Sequence, residues 1–299
     1  MWNGTQLKKN DMQELDLFGN PVIKKGDLKQ DFGTNPFTIL DTKDGLWQAR
    51  KRKWKSLGIQ SEVGRDATTY NMADWASKKN DVGELPSDTS IFDPTLCEMM
   101  YRWFCPVGGK VLDPFAGGSV RGIVANYLGF KYTGIDIRVE QVESNRMQAM
   151  NILDANNQPR WITGDSNLVL PTLKDEFDML LTCPPYADLE VYSDLEGDIS
   201  NMKYGDFILA FECIMRKACK LLKKEAFAVV VVGEVRDKGG NYYGFVPDTV
   251  KLMQRSGMEY YNEAILATSL ASAAMRAAGN MKSKKLVKVH QNILIFKKQ

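Results

Sequence analysis

The residues best suited to chemistry sit in two short stretches. Cys183-Pro184-Pro185-Tyr186 follows the apolar run FDMLLT. Two prolines fix the backbone and remove two N–H donors, so this turn is stiff and its carbonyls are free to accept hydrogen bonds. Cys183 adds a thiol, a nucleophile only when activated below its ordinary pKa of about 8.5. The second stretch, KVLDPFAGGSVRG (Lys110–Gly122), carries Gly117 and Gly118, which can take positive φ and let the backbone approach a ligand. Past them, a helix starting near Ser119 offers unpaired N–H groups to an anion or carboxylate. Asp136 closes the segment TGID, where an acid can accept hydrogen bonds from ribose hydroxyls. Asp165 in the segment TGD can reach an adenine amino group.

These residues need a scaffold that brings them to one edge. Apolar runs predict strands at 110–112, 132–137, 160–162, 177–181, 226–232, 260–268 and 291–297, with helices at 92–104, up to 128, 139–151 and 207–222. AFAVVVV (Ala226–Val232) is apolar and β-branched, the pattern of a strand covered on both faces. Strand–helix alternation predicts an α/β fold, a doubly wound, mostly parallel seven-stranded sheet with helices on both faces. Such sheets bind ligands beyond the carboxyl ends of their strands. Both stretches lie there.

Composition narrows the chemistry. The chain has 299 residues, 44% apolar and 25% charged, enough for a full core. A single histidine, His290, excludes a His-rich metal site, and no metal is expected. His290 reads as a capping or packing residue. Five cysteines form no CxxC pair, which points to free thiols in a reducing cytoplasm. No apolar run reaches the roughly 20 residues that span a bilayer, so no membrane partner is expected. Net charge is only +2, but basic residues cluster: six against one acid over 43–56, and seven against none from 264 onward. Two basic patches suit a polyanionic partner.

LDPFAGGS, TGID and GD, preceded by FDPTLCEMMYRWF and followed by CPPY, resemble the motifs of the DNA amino-methyltransferases of bacteria and phages. The resemblance covers residues 90–298. It implies a Rossmann-like class I methyltransferase fold and S-adenosyl-L-methionine as cofactor. It assigns Asp113, Phe115 and Gly117, with Pro114, Gly118 and Ser119, to the methionine end. Asp136 and Ile137 go to the ribose side, Asp165 and Ser166 to the adenine, and Phe92 and Asp93 to the helix packed over the methionine. It implies N4 of cytosine or N6 of adenine as target, in a base flipped from the duplex. Tyr186 would stack on that base. Acceptors such as the carbonyl of Pro184 would favour a tetrahedral amino nitrogen whose lone pair faces the methyl group. DNA is the implied partner, and a cognate restriction endonuclease a candidate one; the oligomeric state stays open.

Cys183 departs from the family, which carries Asp, Asn or Ser there. Serine is nearest in size, which tilts the target toward cytosine. A second reading makes Cys183 the nucleophile of a C5-pyrimidine methyltransferase; those enzymes, however, place cysteine after a proline. RNA as substrate, and a silent cofactor- or DNA-binding module, are further alternatives.

Only 70 residues separate Asp113 from Cys183, so the target-reading element must lie elsewhere. Residues 1–89 are expected to be an N-terminal extension with a DNA-contacting element, and 90–299 the methyltransferase domain. In the extension, Trp47, Arg50, Lys51, Arg52 and Lys53 interleave aromatic and basic groups as phosphate contact and base stacking would use them. The alternative is an amphipathic helix anchored by Trp47 and Trp54. Lys282, Lys284 and Lys285, in a segment read as a mobile loop or flexible connector, form the second candidate. Asp188, Glu190, Asp194, Glu196 and Asp198 line the target pocket or face solvent.

Overall fold

A computed structural model describes residues 37–59, 92–186, 195, 197–268 and 273–299. The expectations for 1–36 and 66–89, and for Asp188, Glu190, Asp194 and Glu196, lie outside the described residues.

Strand β1 (Ile39–Asp41) leads into helix α1 (Gly45–Lys55), whose first N–H groups, on Leu46 and Trp47, are capped by the Asp44 carboxylate. Helix α2 (Pro94–Phe104) has Asp93 as its cap and proline at its first position, where the missing N–H costs nothing. Then strand and helix alternate. The order is β2 (Lys110–Asp113), α3 (Val120–Tyr127), β3 (Lys131–Asp136), α4 (Val139–Ile152), β4 (Arg160–Thr163), the single turn α5 (Ser166–Val169) and β5 (Phe177–Thr182). Helix α6 (Tyr204–Lys220), β6 (Leu222–Val232), α7 (Phe245–Arg255), β7 (Met258–Ala267), α8 (Ala273–Lys282) and β8 (His290–Lys298) complete it.

The described strands form one sheet in the order β1-β7-β8-β6-β5-β2-β3-β4, with β8 antiparallel to both neighbours and every other pairing parallel. The sheet is mixed and mostly parallel, as expected, but has eight strands rather than seven. The extra one, β1, pairs with β7 at the edge and buries only Leu40 of its three residues, too short an alternation to show as a period.

Layers cover both faces. Val229 and Val231 of β6 point into the core shared with α2, α3 and α4, while Ala228, Val230 and Val232 point into the core shared with α6 and α7. Two-residue alternation within one apolar strand therefore feeds two cores.

Two segments correct the sequence reading. Residues 273–282 are helical rather than a loop or plain connector. Helix α7 carried no visible start signal because its cap comes from elsewhere: the Glu234 carboxylate accepts from the N–H groups of Phe245 and Val246 at 3.1 and 3.0 Å. Pro247 falls in its first turn, where the helix tolerates it. Among the described residues no helix is long and apolar enough to cross a membrane.

Candidate active site

Strand order reverses at β2: β3 and β4 extend to one side, β5 and β6 to the other. At such a switch point the loops leaving adjacent strands part and leave a crevice. A cavity of about 650 Å³ opens there, within the range of small-molecule sites. It is lined by Phe92 and Asp93, by Pro114, Phe115, Gly117 and Gly118 after β2, by Asp136 and Ile137 after β3, and by Asp165 and Ser166 after β4. Cys183, Pro184, Pro185 and Tyr186 after β5 form its other wall. Residues spread over nearly a hundred positions thus meet in one cleft.

Asp113 and Ser119 do not line it. Asp113 is fully buried, and its two oxygens accept from four protein donors: Phe115 N–H (3.1 Å), the Thr182 hydroxyl (2.7 Å), the Tyr132 hydroxyl (2.7 Å) and Arg121 Nε (2.6 Å). It braces the loop that a ligand would meet from behind the residues that line the cavity. Ser119 is also fully buried and donates to Gln148 Oε1 at 3.0 Å. Ser166 does reach the cavity, yet its hydroxyl donates to the Pro114 carbonyl at 2.5 Å, tying α5 to the β2 loop.

Arg121 is a residue the sequence reading missed. It lines the cavity, and its Nη2 donates to the carbonyls of Phe115 and Ala116 at 2.5 and 2.9 Å while its guanidinium lies 4.7 Å over the Phe92 ring. Burial opposes its charge, but Asp113 outweighs burial and raises its pKa further. One signal existed: a cation in the first turn of α3 opposes the helix dipole and so calls for a partner.

Of the two glycines, Gly117 alone takes positive φ, +49°. Its N–H donates to Asp136 Oδ2 at 2.9 Å and its carbonyl accepts from Asn145 at 2.7 Å, which fixes the turn. Asp136 Oδ1 accepts the Arg138 N–H at 2.9 Å. A carboxylate oxygen has a second lone pair, so Asp136 keeps acceptor capacity toward the cavity. Burial raises its pKa, partly offset by these N–H groups and by Arg138. Asp165 caps α5 through Oδ1, which accepts Asn167 N–H at 2.7 Å, and faces the cavity beside Gly197. Asp198, buried at the same wall, is the described member of the acidic group.

Past β5, Pro184 is buried and Cys183, Pro185 and Tyr186 are half-buried. The Tyr186 ring meets Phe245 edge-on, with centroids 5.9 Å apart, so α7 sets its orientation.

The basic-aromatic segment divides. Trp47 and Trp54 are buried in the core, and their indole N–H groups donate to Asp93 (3.2 Å) and Glu98 (2.7 Å). Arg50 grips Glu98 through Nε and Nη2 at 2.8 and 2.6 Å, and Lys51 pairs with Asp93 at 2.9 Å. Trp47 therefore anchors α1 on α2 and has no free face for a base, and Arg50 and Lys51 hold the same contact. Burial alone would raise the pKa of Glu98; hydrogen bonds from Arg50 and Trp54, with the charges of Arg50 and Arg102, outweigh it and hold it below the usual range. Arg52 and Lys53 are exposed on α1, as are Lys282 and Lys284, with Lys285 half-buried.

No protein-family profile matches the chain. Reverse gyrase 1 of Sulfurisphaera tokodaii is 26% identical over 165 residues, 50% of this chain, and the chain spans only 14% of that protein's length. Among solved structures, TrmN from Thermus thermophilus superposes with a TM-score of 0.47 at 15% identity, over 70% of this chain and 49% of that one. Magnesium protoporphyrin IX methyltransferase (ChlM) from Synechocystis PCC 6803, solved with bound SAM, gives a TM-score of 0.45 at 14% identity, over 89% of this chain and all of that one. These likenesses are too distant to carry an activity across.

Proposed function

We propose that the protein is an S-adenosylmethionine-dependent methyltransferase acting on the exocyclic amino group of cytosine or adenine in DNA. The observation that carries this reading is the single cleft shared by the Gly117 turn, the carboxylates of Asp136 and Asp165, and the Pro-Pro-Tyr loop.

The residues present fit the cofactor. Asp136 retains acceptor capacity for ribose hydroxyls, the positive-φ Gly117 turn puts no side chain at the cavity wall, and Asp165 stands one strand further along for an amino group. Bound S-adenosylmethionine would supply an electrophilic methyl group. The chain's own residues do the rest. The stiff Pro184-Pro185 turn offers carbonyl acceptors for the amino protons, which keeps the nitrogen lone pair available. Tyr186 offers a ring face for an extruded base. The Thr182 hydroxyl, donating to Asp113 at 2.7 Å, ties the end of β5 to the Arg121-braced β2 loop, so a bound donor and acceptor would meet already oriented.

In this reading the exposed Arg52, Lys53, Lys282 and Lys284 contact phosphates, with residues 1–89 contributing to DNA contact. Expression in a methylation-free host, followed by sequencing of its genome for modified bases, tests the reading. N4-methylcytosine or N6-methyladenine in a fixed context supports it; an unmodified genome together with methylated RNA would replace it with an RNA substrate.

A further inference from the structure

Next to the Tyr186 wall of the cleft, behind the residues that line the cavity, lies an ammonium group that neither the sequence reading nor the site above uses. Lys288, two residues before β8, has its Nζ buried with no hydrogen-bond partner among the described residues. A buried ammonium without a partner costs several kcal/mol, so proteins keep one only where something else completes it. Among the described residues, the Glu234 carboxylate, which caps α7, acts on Lys288 through space without a hydrogen bond to it. Burial pushes the Lys288 pKa down, with Glu234 opposing.

Its position is specific. A Cβ placed on Gly233, directly after β6, would stand 3.4 Å from Lys288 Nζ, 3.5 Å from the Tyr186 hydroxyl and 3.8 Å from the Tyr186 ring. The absent side chain at Gly233 leaves the lysine head and the tyrosine edge around one small gap. A ligand on the Tyr186 ring that extends into this gap would meet the ammonium.

We propose that Lys288 is a specificity-determining residue: its ammonium donates to a ring carbonyl of the base stacked on Tyr186, and so selects cytosine over adenine. This rests on the methyltransferase reading above. An ammonium carries three donors and no acceptor. Cytosine presents a carbonyl, O2, beside the ring nitrogen N3; adenine presents ring nitrogens alone. With the target amino group held in one place, adenine sets its C2–H where cytosine sets O2, so a donor aimed at that position stays buried and unpaired when adenine binds.

The test compares wild type with K288M and K288Q on DNA from a methylation-free host, with methylated cytosine and adenine quantified by mass spectrometry. Wild type should yield N4-methylcytosine. K288M should lose about tenfold or more in kcat/KM, and K288Q, which keeps a donor, should recover part of it. S-adenosylmethionine affinity by calorimetry should not change. The K288M melting temperature should hold or rise, since an uncompensated charge has been removed; a purely structural lysine would give the opposite sign. Wild-type N6-methyladenine, or K288M activity equal to wild type, overturns the assignment while leaving the methyltransferase reading intact. Equal loss of K288M affinity for a duplex with an abasic target site would move the contact to phosphate and also overturns it. Wild type that methylates no DNA defeats the parent reading, and this one with it.

Discussion

Arg121 Nε donates to Asp113 Oδ2 across 2.6 Å, with the carboxylate fully buried and the guanidinium nearly so, directly beneath the loop that forms the cleft floor. Removing one partner of such a pair leaves a buried charge unpaired and costs about 3–5 kcal/mol. R121M should therefore lower the urea midpoint strongly and weaken cofactor binding, since the Phe115 and Ala116 carbonyls lose their donor. Adding D113N should restore part of the stability, and additive losses would argue against a coupled pair.

Asp136 joins the Gly117 turn to the cavity. A hydrogen bond to a charged group contributes about 1.5–3 kcal/mol. D136A should accordingly weaken S-adenosylmethionine binding by roughly ten- to a hundredfold in calorimetry. Unchanged affinity would remove Asp136 from the site.

Tyr186 is half-buried, with its ring held by Phe245. Base–aromatic stacking contributes about 1–3 kcal/mol per base. In Y186A the kcat/KM for nucleic acid should fall by roughly five- to a hundredfold while cofactor affinity stays constant. A variant that methylates normally would refute the stacking role.

Cys183 separates two mechanisms. If the amino nitrogen is the nucleophile, C183S should keep activity within about tenfold of wild type, since no covalent bond to the protein forms. Loss of nearly all turnover, with a trapped DNA adduct in the wild type, would favour a C5-pyrimidine reaction.

Glu98 has its folded pKa below the ordinary range. Such a group stabilises the fold above its unfolded pKa, about 4.5, and that contribution disappears as pH falls through the lower folded value. Wild-type stability measured by urea titration should thus decline between about pH 5 and pH 3. The slope should be shallower in E98Q, which also lacks part of the anchor for α1 at neutral pH.

The sequence was informative where chemistry and local pattern coincide. The apolar runs marked seven strands because a strand covered on both faces shows as a continuous β-branched stretch, as in Ala226–Val232. Ten of the residues assigned to the cofactor line the cavity because loop positions after successive parallel strands must converge at one edge. Asp113, assigned with them, lies behind that lining. It ends β2 next to the loop, but its side chain points into the core, a direction that one acid in a short strand does not reveal.

The basic-aromatic segment shows the same limit. KRKWK reads equally as a phosphate-binding face or a solvated helix. Only the packing of Trp47 and Trp54 against Asp93 and Glu98 assigns Trp47, Arg50 and Lys51 to the interior side and leaves Arg52 and Lys53 outside.

By itself the chain's order of residues determined the alternating α/β class, most element positions and the two loops that bear chemistry, because these depend on short-range periodicity and on proline and glycine geometry. Tertiary structure alone decided the edge strand β1, the Asp113–Arg121 brace, the Glu234 cap on α7 and the placement of Lys288 beside Tyr186. Each of these brings together residues with no sequence period linking them, in places fixed only once the layers pack.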